Sequence, residues 1–237
     1  MQVPEHRFYD VDPGGEADVA AAAKLHRELF ADIGLIAQLG DRLLRKFCYG
    51  VLVRDGLMGA AVFEVDGQPA GLAAYTLDSE AVHQAVTGRY LGRVVRESLV
   101  SLLLEPRILL GFPAAARLLL ERRHERIEGD APVAELLAIG VLPPYRAPAF
   151  VRRTGLRIAD RLLARGLTYF RQAGVREARG VVLAENLPAL AFFRMRASRI
   201  EPFPGAVKPS YQMWFDVEKP RGPIESSNPP ESIEAEH

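Results

Sequence analysis

The stretch from Ala134 to Met195 constrains the fold of this chain more than any other. It opens with AELLAIGVLPPYR, an apolar run of strand character over Ala134–Leu142 that stops at Pro143-Pro144. RRTGLRIADRLL follows, and Leu156, Ala159, Leu162, Leu163, Leu167 and Phe170 recur at helical spacing as far as about Ala173. Gly174 stands where a C′ glycine ends a helix. The run VVLAENLPALAFFRM belongs to a strand over Glu177–Ala184 and a short helix over Leu187–Arg196, with Asn186 as N-cap and Pro188 in the first turn. The result is a β-α-β unit whose ligand crevice belongs at the C-terminal ends of its strands. The loop before the long helix is rich in arginine and amide groups. Free N–H groups and the positive end of the helix dipole make such a place an anion site suited to phosphate.

The rest of the chain supplies a sheet for this unit to join. His6–Val11 reads as a short strand, and Glu16–Phe30 as a helix behind the breaker Pro13-Gly14-Gly15. Asp41 is placed to cap a second helix carrying Leu43, Leu44, Phe47, Cys48 and Val51. Met58–Val65 and Pro69–Leu77 are strand-like runs joined by Asp66-Gly67, a strong hairpin signal because both residues tolerate positive φ. A largely helical insertion spans about 80–128, and Ser210–Glu218 alternates like a last strand. The expected organisation is a domain over residues 1–218 and a polar, Pro-rich, acidic tail over 219–237 that is expected to be disordered.

Composition narrows the function classes. Lys+Arg and Asp+Glu both number 30, so formal charge is zero and a dedicated nucleic-acid binder is disfavoured. The single Cys48 excludes an intrachain disulfide and a thiolate metal cluster, and its apolar neighbours mark it as a plain buried thiol. His26, His83 and His124 have no metal-ligand spacing and are expected on helix surfaces. The apolar run Leu99–Leu120 is interrupted by Glu105, Pro106, Arg107, Pro113 and Arg117, too often for a lipid-facing helix. A soluble, cytoplasmic protein without stable membrane insertion is expected, and the apolar insertion is a candidate homodimer interface.

At this point the residues carry a resemblance. From about Phe8 to Val217, and most specifically from Glu135 to Met195, the sequence resembles the GNAT family of acetyl-CoA-dependent N-acetyltransferases. Leu137-Ala138-Ile139-Gly140-Val141-Leu142-Pro143, followed by Tyr145-Arg146, is similar to the family's fourth strand. There a bulge splays two strands and offers backbone groups to the pantetheine arm. The match implies that Ile139, Gly140 and Val141 line the acyl channel. Asn186-Leu187-Pro188-Ala189 with Phe192-Phe193 resembles the opening of the next helix, whose Asn contacts the cofactor. The implied fold is α+β: a mixed, mostly antiparallel sheet flanked by helices, with a helical insertion between the third and fourth strands.

Two registers fit the family's pyrophosphate loop. One starts at Arg152 and puts Arg157 in the last small position; the other starts at Thr154 and ends at Ala159. Ala147–Val151 reads as an insertion before the loop. In both registers Arg152, Arg153 and Arg157 supply charge, and the N–H groups of Thr154, Gly155, Leu156, Arg157, Ile158 and Ala159 supply donors.

The resemblance implies direct transfer of acetyl from acetyl-CoA to a primary amine of a small molecule, such as an amino sugar or amino acid, in a ternary complex without a metal. The carbonyl would be polarised by the amide of Val141 or Ile139. Glu135 is the first candidate for the base that deprotonates the amine, and Glu185 the second. Where many members have a tyrosine beside the thioester sulfur, this chain has Phe193, which cannot donate a proton. Tyr145, Tyr211 or a water must then act as the acid. Acceptor recognition is expected from the first two helices, their connecting loop Ala31–Gly40 and the insertion over Ala81–Arg123. A protein N-acetyltransferase and a non-catalytic acyl-CoA-binding or regulatory module are the alternatives, the second favoured by Phe193.

Overall fold

Asp66-Gly67 sets the first strand pairing. Both residues take positive φ, 51° and 71°, which matches the twist of a two-residue hairpin. The turn joins β2 (Gly59–Val65) to β3 (Gln68–Thr76). The computed structural model describes residues 4–31, 40–104, 132–204 and 208–221. Within these, seven strands form one sheet in the order β1-β2-β3-β4-β5-β7-β6. Here β1 is His6–Asp10, β4 Ala134–Val141, β5 Glu177–Leu183, β6 Arg199–Pro202 and β7 Ser210–Asp216. Every pairing is antiparallel except β4 with β5. The mixed, mostly antiparallel sheet expected from the sequence is therefore present, with β6 added, a strand the sequence reading did not contain.

Helices cover the two faces of the sheet. On one face lie α7 (Ile158–Gln172) and α8 (Leu187–Arg194). Leu162, Leu163, Leu167 and Phe170 of α7 meet Ala134 and Leu136 of β4 and Phe215 of β7 there. The other face carries α1 (Glu16–Phe30) and α2 (Asp41–Leu43), which runs on into a π-helical stretch, Leu44–Leu52. The wider π turn brings adjacent residues inward together, so that Phe47, Cys48 and Tyr49 are all buried, as are Val51 and Leu52. Asp41 does not cap this helix from outside; it is the first helical residue, follows Gly40 and is ion-paired with Arg45. His26, expected on a helix surface, instead sits half-buried between α1 and the π stretch, 2.7 Å from the Tyr49 hydroxyl.

Part of the helical insertion is seen as α3 (Ser79–Thr87) and α4 (Leu91–Leu104). Asp78 caps α3 by accepting from the N–H groups of Glu80 and Ala81. The buried Glu97 carboxylate of α4 accepts from Arg42 Nε (2.6 Å) and Arg96 Nη2 (2.7 Å), which fastens α4 to α2. Burial alone would raise the Glu97 pKa; the two guanidinium groups outweigh it and hold the group below the usual carboxylate range. Residues 105–128 of the insertion, with His124, the greater part of the loop Ala31–Gly40 and most of the tail lie outside the described residues. Among the described residues no helix is long and apolar enough to cross a membrane.

The segment after β4, expected as an arginine-rich loop, is helical instead: α5 (Pro143–Arg146) and α6 (Pro148–Thr154). Each starts with proline in its first turn, where the ring pre-sets φ and the missing N–H costs nothing. Gly155 ends α6 in the left-handed conformation at φ 74°. Ala147–Val151, read as an insertion, is the body of this added helix.

Candidate active site

The site begins with a failure of strand pairing. β4 and β5 are hydrogen-bonded neighbours only at Ala134, Glu135 and Leu136, opposite Ala178, Arg179 and Gly180. Leu137 is the additional residue of a bulge against β3: Ala74 faces Ala138, but Tyr75 faces Leu136. Beyond the bulge β4 stays with β3 and leaves β5, so a gap opens toward the C-terminal ends of the two strands. Leu137 is 38% exposed there. The Leu142 N–H donates to Ala70 C=O at 2.9 Å. Backbone groups alternate in direction along a strand. Those of Ile139 and Val141 are therefore turned away from β3, toward the side where β5 has parted from β4. Gly140 points to the opposite face, where a Cβ would meet Leu29 and Phe30 of α1 at 3.0–3.3 Å.

The N-terminus of α7 lies near the C-terminal end of β4: a Cβ on Gly71, the partner of Val141, would meet Leu162 and Ile158 at 2.9–3.0 Å. Its first helical bonds run from the Asp160 and Arg161 amides to Arg157 C=O, at 3.0 and 3.2 Å. The amides of Arg157, Ile158 and Ala159 precede them and have no intrahelical acceptor. This start agrees with the loop register that ends at Ala159. Gly155 instead closes α6, and its amide donates to Val151 C=O at 2.8 Å. The Thr154 hydroxyl is buried, donating to Phe150 C=O (2.8 Å) and accepting from the Leu156 amide (3.2 Å). The side chains of Leu156 and Ile158 are core residues, so only their backbone can face a ligand. Arg152, Arg153 and Arg157 are exposed.

Several other expected residues are placed elsewhere. Tyr145, Arg153 and Thr154 line a cavity of about 920 Å³ beside the β2–β3 turn, with Glu5, Asp66 and Phe150. Tyr145 is thereby directed toward Phe150 and that turn, at 5.5 Å ring to ring. Phe193 is core: its ring packs on Phe215 (5.7 Å) and Phe192 (5.0 Å) under β7. Asn186 caps α8 by accepting from the Ala189 amide at 3.2 Å. Glu185 is exposed and paired with Lys208. Tyr211 is half-buried on β7 opposite Val182, on the α7 side of the sheet. Burial pushes the Cys48 thiol up to about 12, which leaves it protonated and unreactive.

Glu135 stands at the vertex of the gap. Its neighbours Ala134 and Leu136 face α7, so its side chain occupies the opposite face. It is buried, and its Oε2 accepts from Arg179 Nε at 2.9 Å. Arg179 in turn lies over the Phe203 ring (5.4 Å) and beside Trp214, its partner on β7. The described helices of this face pack on β2, β3 and β4.

Sequence reasoning missed the clip that holds the two helices bordering the gap. Asp160, in the first turn of α7, and Arg196, just after α8, are both buried. Arg196 Nε donates to Asp160 Oδ1 at 2.7 Å, and Nη1 donates to Phe192 C=O at 2.6 Å. The guanidinium also covers the Phe192 ring at 3.8 Å. Asp160 interrupts no apolar position of the helix pattern, so only the three-dimensional approach of α8 marks it out.

No protein-family model and no curated protein matches the sequence. Solved structures do. The PaiA N-acetyltransferase of Thermoplasma acidophilum, solved in complex with coenzyme A, is 12% identical, covers 89% of this chain and 99% of its own, and superposes with a TM-score of 0.50. The chain has the GNAT acyltransferase fold. An N-acetyltransferase of Staphylococcus aureus Mu50 gives 12% identity, 90% and 99% coverage and the same TM-score of 0.50. SsHAT, at 19% identity and 91% and 99% coverage, scores 0.50 as well. In the GNAT fold of this chain, β4 and β5 part after Leu136, and α7 starts near the far end of β4.

Proposed function

We propose that the chain is an N-acyltransferase that moves an acetyl group from acetyl-CoA to a primary amine of a small molecule, such as an amino sugar or amino acid, by direct transfer in a ternary complex. One observation carries the reading: the half of β4 that β5 has left turns the amides of Ile139 and Val141 away from β3, and α7 starts near its far end. An extended arm fits along such a strand, and a pyrophosphate fits the amides of Arg157, Ile158 and Ala159 with the Arg157 side chain beside them. The amide of Ile139 or Val141 polarises the thioester carbonyl as charge develops on its oxygen. Glu135, at the vertex, takes the ammonium proton. The amine nitrogen then forms its bond to the carbonyl carbon as the C–S bond breaks, the thiolate takes a proton from Tyr211 or water, and the second proton that the nitrogen releases as it becomes an amide replaces the one given to the thiolate. The PaiA structure with coenzyme A supports the donor half of this reading.

A second reading has its own observation. Phe193 has no hydroxyl and packs in the core, so this position offers the thiolate no acid, as expected for a non-catalytic acyl-CoA-binding or regulatory module. Calorimetry with acetyl-CoA followed by thiol release over a panel of amines separates the two. Binding with turnover establishes the transferase, binding without turnover favours the module, and absence of binding refutes both. In an active protein, Glu135→Gln lowers the rate and flattens its rise with pH; an unchanged profile removes Glu135 as the base.

A further inference from the structure

We infer that the acceptor amine carries a carboxylate next to it, so that the acceptor is an α-amino acid bound as a zwitterion by Glu135 and Arg179. The inference rests on the acyltransferase reading and names its substrate class. Its basis is an incomplete ion pair. Arg179 Nε and Nη2 both reach the same oxygen, Glu135 Oε2, at 2.9 Å. A bidentate pair would use both carboxylate oxygens. Among the described residues, Oε1 of Glu135 and Nη1 of Arg179 have no hydrogen-bond partner, and the guanidinium's other hydrogen bond is a long one from Nη2 to Ser79 Oγ at 3.5 Å. One carboxylate oxygen of Glu135 and one donor nitrogen of Arg179 are left over where β4 and β5 part.

The surroundings suit a ligand with two opposite charges. The side chains of Glu135 and Arg179 are 10% and 21% exposed, enough to touch a ligand and little enough to strengthen the contact through partial desolvation. The Phe203 ring holds the plane of the guanidinium. A simple ammonium would satisfy Glu135 and leave the donor edge of Arg179 unmatched; an ammonium with a neighbouring carboxylate satisfies both. Val181 and Leu183 follow Arg179 along the same face of β5, and Leu137 stands exposed at the bulge, which together give apolar room for an amino-acid side chain. The neighbouring carboxylate, Glu201, offers no such opening. It already accepts from Gln212 Nε2 (2.9 Å), Trp214 Nε1 (3.2 Å) and Arg199 Nε (2.9 Å).

The step balances without further reactants. The ammonium proton goes to Glu135 Oε1, the freed nitrogen bonds to the acetyl carbon of acetyl-CoA, and the C–S bond breaks. The nitrogen gives up its second proton to solvent as the amide forms, coenzyme A leaves as the thiol with a proton from solvent, and the N-acetyl amino acid keeps its carboxylate on Arg179 until release.

The test uses the wild-type chain at saturating acetyl-CoA and follows thiol release with matched triples, such as leucine, leucinamide and isopentylamine, across the common amino acids. A charge-assisted hydrogen-bonded contact predicts a kcat/KM about 10- to 100-fold higher for the acid than for its amide or decarboxylated amine. Equal or faster turnover of the amide and the decarboxylated amine overturns the inference and leaves the acyltransferase reading standing. Thiol release from no amine, by protein that binds acetyl-CoA, overturns both. In Arg179→Lys, which keeps the charge but loses the planar fork and part of the support of Glu135, the KM for the acid is expected to rise about tenfold more than that for the decarboxylated amine. An equal rise for both substrates would make Arg179 a merely structural support and would refute the assignment.

Discussion

Replacing Arg196 by alanine strands the Asp160 carboxylate inside the protein. Both side chains are 6% exposed, so water cannot take over the role of the guanidinium. The variant loses the ion pair, the bond from Nη1 to Phe192 C=O and the cover over the Phe192 ring together. Removing one partner of a buried pair costs about 3–5 kcal/mol, most of it the penalty of an uncompensated buried charge. For a chain of this size each kcal/mol lowers Tm by about 2–4 °C, so a drop of about 6–20 °C is expected in thermal unfolding followed by circular dichroism. The cause is testable by a second change. Adding Asp160→Asn to the Arg196→Ala background removes the stranded charge and should recover a substantial part of the loss. Because the clip joins the first turn of α7 to the end of α8, acetyl-CoA affinity should also fall in the folded fraction of the single variant. A Tm change below about 2 °C, or a double variant no better than the single one, would refute the argument.

Three further outcomes follow from particular contacts. Burial lowers the pKa of His26 from 6.5 to about 4, so the unfolded chain binds a proton first on acidification. Stability from this group is complete above pH 6.5 and lost as pH falls toward 4, a decline of about 3 kcal/mol that His26→Gln should flatten in denaturant titrations; an unaltered acid slope would exonerate His26. At Gly59 an added Cβ would lie 2.3 Å from Cε2 of Tyr75, whose ring is held by Tyr169 and by its hydroxyl bond to Asp10. Gly59→Ala should therefore destabilise by about 1–3 kcal/mol in urea unfolding, and a neutral result would mean the Tyr75 ring yields freely. Arg157→Ala should weaken acetyl-CoA binding in calorimetry more than Arg153→Ala, because Arg153 faces the cavity by the β2–β3 turn; the reverse order would move the phosphate site to that side of the chain.

Local signals carried much of the architecture. The Asp66-Gly67 turn, the periodic face of α7, the glycine at 174 and the cap at Asn186 depend on neighbours within a few residues, and each acts where the sequence places it. For the same reason the apolar run 134–142 could be read as a strand. Its break from β5 after Leu136 depends on the bulge against β3, a long-range pairing; only the resemblance, not the pattern, pointed to it. The fate of Pro143–Thr154 also turned on context. Arginines and prolines there read as a loop, but prolines at the first turn of two short helices are as comfortable as in a loop.

What the sequence determined by itself was the order of most strands and of the longer helices, among them the strand before and the helix after the Pro143–Thr154 segment, because periodicity, turn chemistry and caps are properties of adjacent residues. Which side chains share the site was decided only by tertiary structure. Glu135 and Arg179 meet because two parallel strands pair for three residues before parting. Asp160 and Arg196 meet because α8 ends against the start of α7. Phe193 is withdrawn from the crevice because its side of α8 packs on Phe215. Contacts between residues tens of positions apart depend on the register and packing of whole elements, and no local pattern encodes them.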